Sequence, residues 1–265
     1  MLGSCYGSTC ASSKNPLSGR PYHKDFPLIT VRDMVNAHRL LKAHLGIEQI
    51  HIGIGGSLGG QQLMEWAVME PTIFDIIIPI ATNAKHSPWG IAFNESQRMT
   101  LEADSTLYDH HPEAGKTGLA AARSIAMLSY RNYTTYELSQ QDKESKLEDY
   151  RASSYQRYQG LKLVKRFEPL AYLSLSKSMD SQDIGRGRGG LKLALARITA
   201  KALVVGITSD ILYPVNEQQF IADYISNAQL EIIESNYGHD GFLIEYGQLT
   251  YLISQFLIQH NIFRQ

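Results

Sequence analysis

Apolar and polar positions along the chain alternate between two periods. After Thr30, a candidate N-cap, Val31, Met34, Val35, Leu40, Leu41 and Leu45 recur at roughly helical spacing, and Gly46 marks the stop. Gln49–Ile54 is a short β-prone run. Leu58–Met69 reads as a helix followed by Pro71, and Phe74–Ala81 (FDIIIPIA) is mostly apolar, as expected of a strand covered on both faces. Helix, strand, helix, strand in that order predicts a parallel sheet. The alternation then stops. Residues from about 92 to 196 carry helical patterns, such as Leu119–Leu128 and Leu147–Leu163, without a strand, and 183–190 (DIGRGRGG) reads as a glycine-rich hinge or loop. Alternation resumes with a strand at Ala202–Ile207, a helix near Asn216–Ile225, a strand at Leu230–Ile233 and a last helix over Phe242–Ile258. Residues 1–28, rich in Gly, Ser, Pro and Tyr, read as an irregular, packed lead-in. The expected organisation is a sheet core at 1–91, a helical lid at 92–196 and the rest of the core at 197–265. A helical block inserted into such a sheet suggests a lid over a site at the strand ends.

The stretch Ile52–Gly60 (IGIGGSLGG) sits at a strand-to-helix junction. It fails the dinucleotide fingerprint, because the last glycine position of G-x-G-x-x-G falls on Leu58, and it lacks the lysine of a phosphate-binding P-loop. It fits G-x-S-x-G as Gly55-Gly56-Ser57-Leu58-Gly59. In a nucleophile elbow the serine projects from a strained turn, and the N–H of the next residue, here Leu58, faces the oxyanion. A tight βα turn with close helix–strand packing would use the same residues.

A serine hydroxyl needs a base. Asp210 follows the strand at 202–207, and His239 lies between the last strand and the last helix. Acid then histidine is the order this architecture uses. Asp210 would orient His239, which would take the proton of Ser57. A turn aspartate and a surface-loop histidine are the plain alternatives, but three correct types in order, each at a strand end, are unlike chance.

Composition narrows the field. The chain has 265 residues, 43% hydrophobic and 19% charged, with a net charge of −1, so no global field recruits nucleic acid or an anionic membrane. No apolar segment is long enough to span a bilayer, and the N-terminus lacks the features of a signal peptide, so a cytoplasmic location is expected. Cys5 and Cys10 are too few for a disulfide framework. Asp109, His110 and His111 resemble metal ligands only superficially, since adjacent histidines do not both face one ion from regular structure. Arg186 and Arg188 resemble an RGG element, and Asn94 and Asn132 open glycosylation sequons. Cys5 has no base partner legible in sequence, and a structural thiol is the simpler reading. No metal and no cofactor are expected.

A set of ordered segments carries a resemblance: LGSCYGST from Leu2, GRPYHKDFP from Gly19, TVRDMV from Thr30, GGSLGG, EWA at Glu65–Ala67, IAFNESQR, GLAAAR, GRGRGG, SDILYP and YGHDGFL. Together they resemble the homoserine O-acetyltransferases, α/β-hydrolase-fold acyltransferases of methionine biosynthesis. The resemblance implies a mostly parallel α/β-hydrolase-type sheet with an inserted helical lid. It also implies a ping-pong reaction, in which Ser57 takes an acetyl group from acetyl-CoA, a co-substrate, and passes it to the hydroxyl of L-homoserine. By the same resemblance Arg123, Tyr130 and Asp240 hold the amino acid. An arginine fork suits its carboxylate and a carboxylate its ammonium, and the spacing of seven puts Arg123 and Tyr130 on one helix face. A salt-bridged arginine, a packed tyrosine and an N-cap aspartate would give the same residues. The family carries a segment ahead of LGSCYGST that supplies the first strands and the second oxyanion N–H, so the fold expected here has its N-terminal strands missing. Succinyl-CoA as donor, L-serine as acceptor, a serine hydrolase and an inactive truncated remnant remain rival readings, and a homodimer through the lid stays open.

Overall fold

A computed structural model describes residues 1–261. Among the described residues four strands form one parallel sheet in the order β1 (Ile50–Gly56), β2 (Phe74–Ile80), β3 (Lys201–Ile207), β4 (Ala228–Ile233). The helices are α1 (Val31–His44), α2 (Leu58–Met69), α3 (Pro88–Glu102), α4 (Lys116–Tyr130), α5 (Tyr133–Gln140), α6 (Arg151–Val164), α7 (Pro169–Asp180), α8 (Leu191–Leu195), α9 (Val215–Tyr224) and α10 (Tyr246–Gln259). Thr30 does start α1, through a reciprocal cap: Asp33 N–H donates to Thr30 Oγ1 (3.2 Å) and Thr30 N–H to Asp33 Oδ2 (2.9 Å).

The residues group into two compact units. One takes in Met1–Ala37, Ser87–Ser129 and Tyr133–Ser181; the other takes in His38–His86, Tyr130–Asn132 and the chain from Gln182 onward. The second holds the sheet. Its strands alternate between two buried faces, as the apolar run of β2 requires. Ile77 and Val204 pack with Leu63, Met64 and Val68 of α2 and Ile221 of α9. Ile76, Ile78, Leu203 and Val205 pack with Leu249, Phe256 and Leu257 of α10. No further described strand pairs with β1, and its His51 and Ile54 are exposed.

The chain leaves the sheet unit after His86, rejoins it briefly at Tyr130–Asn132 and returns for good at Gln182. There His86 N–H donates to Gln182 O (2.9 Å), Ile184 N–H to Ala84 O (3.1 Å), and Lys85 pairs with Asp183 (3.3 Å). The sequence boundaries at 92 and 196 therefore shift. Residues 182–196 group with the sheet because Ile184, Ala194 and Leu195 are buried in its core, and 1–37 group with the helical unit. The last helix is also shorter than its pattern suggested. Gly238–Leu243 forms a 3-10 turn, and α10 starts only at Tyr246.

Two motifs of the sequence acquire structural roles. Arg188 of GRGRGG forks onto Glu65 of EWA, Nη1 to Oε2 at 2.8 Å and Nη2 to Oε1 at 2.6 Å, with the side chains only 10% and 3% exposed. This is a structural use of that arginine within the sheet unit. In the helical unit, Arg98 of IAFNESQR pairs with Asp180 at 2.6 Å and Asn94 Nδ2 donates to the same carboxylate at 2.7 Å, fastening α3 to α7. Asn94 is buried, so its sequon offers no acceptor in the folded chain. Around these groups Leu101, Leu119, Leu163 and Leu173 form the helical unit's own core.

Breaking the Arg188–Glu65 fork strands a buried charge, so Arg188→Ala is expected to lower unfolding free energy by about 3 kcal/mol or more, read from urea unfolding. A second prediction concerns Glu70 at the end of α2. Burial alone would raise its pKa, but hydrogen bonds from Trp66, Arg39 and Lys42 outweigh burial and hold the carboxyl below the ordinary range. A depressed pKa contributes stability above the unfolded value, and that stability is lost as pH falls through the folded one. Glu70→Gln should therefore flatten the acid limb of a stability-against-pH curve while leaving its neutral-pH shape; an unchanged acid limb would refute the assignment.

Candidate active site

Ser57 is the single residue between β1 and α2, and it sits at φ 52°, ψ −122°, a conformation that non-glycine residues rarely adopt. Its N–H donates to Ile80 O of β2 (2.9 Å), and its carbonyl accepts from Thr82 Oγ1 (2.8 Å) and from Gln61 N–H (3.1 Å). The strained turn is thus held from both sides. As the first residue of α2, Leu58 has an N–H with no acceptor inside the helix. The helix N-terminus adds partial positive charge there.

The glycines share the work unequally. A Cβ on Gly55 would stand 2.5 Å from the carbonyl carbon and oxygen of Gly59, which is impossible without moving the backbone. A Cβ on Gly59 would meet nothing within 4 Å. The strand-side glycine makes the close approach, and the helix-side one leaves room.

Asp210 follows β3 and His239 follows β4, and both are 4% exposed. His239 Nδ1 lies 2.7 Å from Asp210 Oδ2, while Asp210 Oδ1 accepts the N–H groups of Leu212 (2.8 Å) and Tyr213 (2.9 Å). With the carboxylate acting as acceptor on both oxygens, Nδ1 carries the hydrogen and Nε2 is left to accept a proton. The imidazole is walled by the rings of Tyr213, Phe242 and Tyr130, with centroids at 5.1, 5.4 and 5.9 Å. Tyr213 is fully buried, and its hydroxyl oxygen accepts a long contact from Gln61 Nε2 at 3.4 Å.

Tyr130 and Asp240 therefore lie within the same unit as the histidine. Asp240 belongs to the 3-10 turn and does not cap α10, whose N-cap is Glu245. Its Oδ2 pairs with Arg131 Nη1 at 3.3 Å, and the Arg131 guanidinium lies 5.9 Å from the Tyr237 ring. Gly238, at φ 62°, has no space for a Cβ because the Arg131 carbonyl carbon would be 2.9 Å away. Arg123 occupies α4 two turns before Tyr130, half-buried, in the helical unit. Among the described residues no three His, Cys, Asp or Glu side chains group as metal ligands, and no helix is long and apolar enough to cross a membrane. Asp109, His110 and His111 line a cavity of about 340 Å³ in the helical unit, where the His110 ring lies 4.5 Å from that of His23.

Sequence reasoning missed Tyr213 and Arg131. Tyr213 was visible inside SDILYP, three residues after Asp210, at a spacing where an aspartate commonly accepts the backbone N–H groups that follow it. Arg131 adjoins Tyr130, but nothing in the sequence links it to Asp240.

A strained serine at a strand–helix junction and a buried His–Asp pair at later strand ends define the chain as one of the α/β-hydrolase fold. The alpha/beta hydrolase fold family model matches residues 1–246. Solved structures agree: esterase E22 superposes with a TM-score of 0.87 at 23% identity, covering 94% of this chain and 72% of that one. The homoserine O-acetyltransferase from Staphylococcus aureus superposes at 0.79 with 30% identity, covering 97% and 71%. The homoserine O-acetyltransferase of Cyclobacterium marinum is 51% identical over 98% of this chain and 74% of its own length, and that of Trichormus variabilis is 44% identical over 97% and 72%. The chain belongs to the homoserine O-acetyltransferase family.

The packing of the elbow separates its two glycines experimentally. Gly55→Ala should destabilise the fold by about 3 kcal/mol or prevent folding, because backbone cannot yield as a side chain would. Gly59→Ala, in the first turn of α2, should leave the thermal midpoint unchanged or raise it slightly. Equal behaviour of the two variants in thermal unfolding would contradict this packing.

Proposed function

We propose that this enzyme transfers an acetyl group from acetyl-CoA to the side-chain hydroxyl of L-homoserine through an acetyl-serine intermediate. The observation that carries the reading is the buried Asp210–His239 pair in the same unit as the strained Ser57, in a chain 51% identical to a homoserine O-acetyltransferase.

Ser57 Oγ attacks the thioester carbonyl while His239 Nε2 takes its proton. The Leu58 N–H and the N-terminus of α2 stabilise the oxyanion. Collapse of the tetrahedral adduct expels the thiolate of CoA, which leaves with the proton held by His239. In the second half, His239 takes the proton of the homoserine hydroxyl as that oxygen attacks the acetyl-Ser57 ester. The second adduct collapses to O-acetylhomoserine, and Ser57 Oγ recovers the proton from His239. Atoms and protons balance over the two halves. Arg123 suits the acceptor's carboxylate, Asp240 its ammonium, and Tyr130 adds wall and hydroxyl. Asp240 is already fixed by Arg131, so its carboxylate is presented in one orientation. A product of this kind feeds methionine biosynthesis.

Intact mass after brief mixing with acetyl-CoA and succinyl-CoA together, without acceptor, should show one acetyl group on the chain and none on Ser57→Ala. A succinyl adduct would replace the donor; an adduct that persists in Ser57→Ala would move the nucleophile. Arg123→Ala should cut transfer to homoserine by roughly 10- to 100-fold and leave acyl-enzyme formation near the wild-type rate. An equal fall in both steps would remove Arg123 from the acceptor site and favour a simple hydrolase.

A further inference from the structure

The pairing of β1 with β2 runs to Gly56 beside Ile80, and Ser57 N–H still donates to Ile80 O (2.9 Å). The next residue of the second strand, Ala81, is fully buried at φ 45°, another non-glycine residue in the left-handed region. Its N–H donates to Val205 O of β3 (2.8 Å), so the kink is fixed to the sheet. Thr82 then meets the elbow with its side chain, Oγ1 donating to Ser57 O at 2.8 Å. Two strained residues at the ends of neighbouring strands are thus joined by a pair of bonds on either side of Ala81. Strain of this kind persists only where the surroundings over-determine it.

A peptide unit is planar and trans, so its C=O and N–H point in opposite directions. The carbonyl that Thr82 holds and the N–H of Leu58 belong to one such unit. Fixing one end fixes the aim of the other. We propose that Thr82 is a positioning residue of the acyl-transfer site, its hydroxyl locking the Ser57–Leu58 peptide plane so that the Leu58 N–H faces the oxyanion. The proposal rests on the reading of Ser57 as nucleophile and of Leu58 N–H as oxyanion donor, not on the identity of the acyl donor or acceptor.

The direction of the bond is set by chemistry, since a carbonyl has no hydrogen to give. The same carbonyl accepts Gln61 N–H (3.1 Å), the first rung of α2. That rung belongs to the helix, whereas the Thr82 hydroxyl comes from outside it and ties the peptide plane to the sheet. Thr82 is itself held. Gln218 Nε2 donates to its carbonyl at 2.7 Å, and its methyl fills the space that a Cβ on Gly60 would need, 2.7 Å from Cγ2. The residue is fully buried, so water does not compete for its hydroxyl. A donor of this kind stabilises charge because it is aimed before the charge develops. Thr82 supplies that aim from a residue that touches neither substrate nor base in the proposed reaction.

Thr82→Val removes the hydroxyl and keeps the shape. The readout is pre-steady-state acylation by p-nitrophenyl acetate and by p-nitrophenyl thionoacetate, whose sulfur is a weak hydrogen-bond acceptor. The saturating rate with the oxygen ester is expected to fall about tenfold, the worth of one net hydrogen bond, with half-saturation unchanged. The rate with the thiono ester should stay within about twofold of wild type, because little oxyanion bonding is there to lose. Thr82→Ser, which keeps the hydroxyl, should restore most of the oxygen-ester rate. An equal fall with both esters would make Thr82 a merely structural residue and overturn the proposal. So would an unchanged oxygen-ester rate, or a Thr82→Ser variant as slow as Thr82→Val. Should Thr82→Val fold poorly, Gln218→Met loosens Thr82 from behind. It should lower the oxygen-ester rate about threefold and spare the thiono ester; no selective loss there would also overturn the proposal. A folded wild-type chain that takes no acetyl group from either ester would fail at an earlier point. It would overturn the assignment of Ser57 itself, and the peptide plane would have no oxyanion to face.

Discussion

A serine at φ 52° between the last residue of a strand and the first of a helix governs what surrounds it. That backbone costs of order 1–3 kcal/mol and persists only where neighbours over-determine it. The neighbours here are specific. Ile80 and Thr82, at the end of β2 and just past it, bond the two backbone groups of Ser57, so the turn is locked to the strand beside it. The strand must then enter and the helix must leave at an angle so close that Gly55 abuts the Gly59 carbonyl. Five glycines in a nine-residue stretch are the sequence's record of that constraint. The strain also has a consequence for chemistry. It sets a nucleophile-bearing residue directly before Leu58, whose N–H, like the first of any helix, has no acceptor inside α2.

Much of this was legible because strand-to-helix punctuation is local. The apolar run Phe74–Ala81 and the elbow pattern depend on neighbours in sequence and led to β2 and to Ser57, while Asp210 and His239 were legible from the order of residue types at successive strand ends. What failed to show was long-range. Arg188 and Glu65 are far apart in the chain, and only the folded unit reveals that the glycine-rich return brings a guanidinium to a carboxylate on α2. Arg131 and Asp240 are a second such pair. The run from Phe242 to Ile258 misled for a local reason. Its apolar residues continue at helical spacing, but the segment from Gly238 must hold His239 and Asp240 in a tighter turn, so the α-helix waits until Tyr246. The lead-in of residues 1–28 carries motif residues but almost no periodicity, and its structure is turns and one short 3-10 segment at His23–Asp25. Periodicity had nothing to report there.

The polar groups behind the elbow form a second layer. Gln61 and Asn83 bond one another, Gln218 Nε2 donates to the Thr82 carbonyl (2.7 Å), and all three are fully buried. Such groups are costly to bury and are retained where they fix geometry. Thr82 joins this layer to the nucleophile, since its carbonyl is held by Gln218 and its hydroxyl holds the Ser57 carbonyl. A shift in α9, which carries Gln218, would thus reach the serine through two hydrogen bonds rather than through loose packing.

The surroundings of His239 bear on how the proposed acyl-enzyme would favour an amino-acid hydroxyl over water. Three aromatic rings wall the imidazole, and both it and its aspartate are almost inaccessible. Apolar walls give a stray water few partners, so water gains little by entering, whereas an acceptor with its own carboxylate and ammonium would be held by the side chains proposed for it. Tyr130 and Asp240 flank the histidine within one unit, and Arg131, joined to Tyr130 by the chain and to Asp240 by charge, couples the two. In the proposed reaction the geometry that orients the base would be continuous with the geometry offered to the acceptor. Selectivity between acetyl transfer and hydrolysis would then depend on how well the acceptor fits beside these rings, because the serine chemistry is common to both.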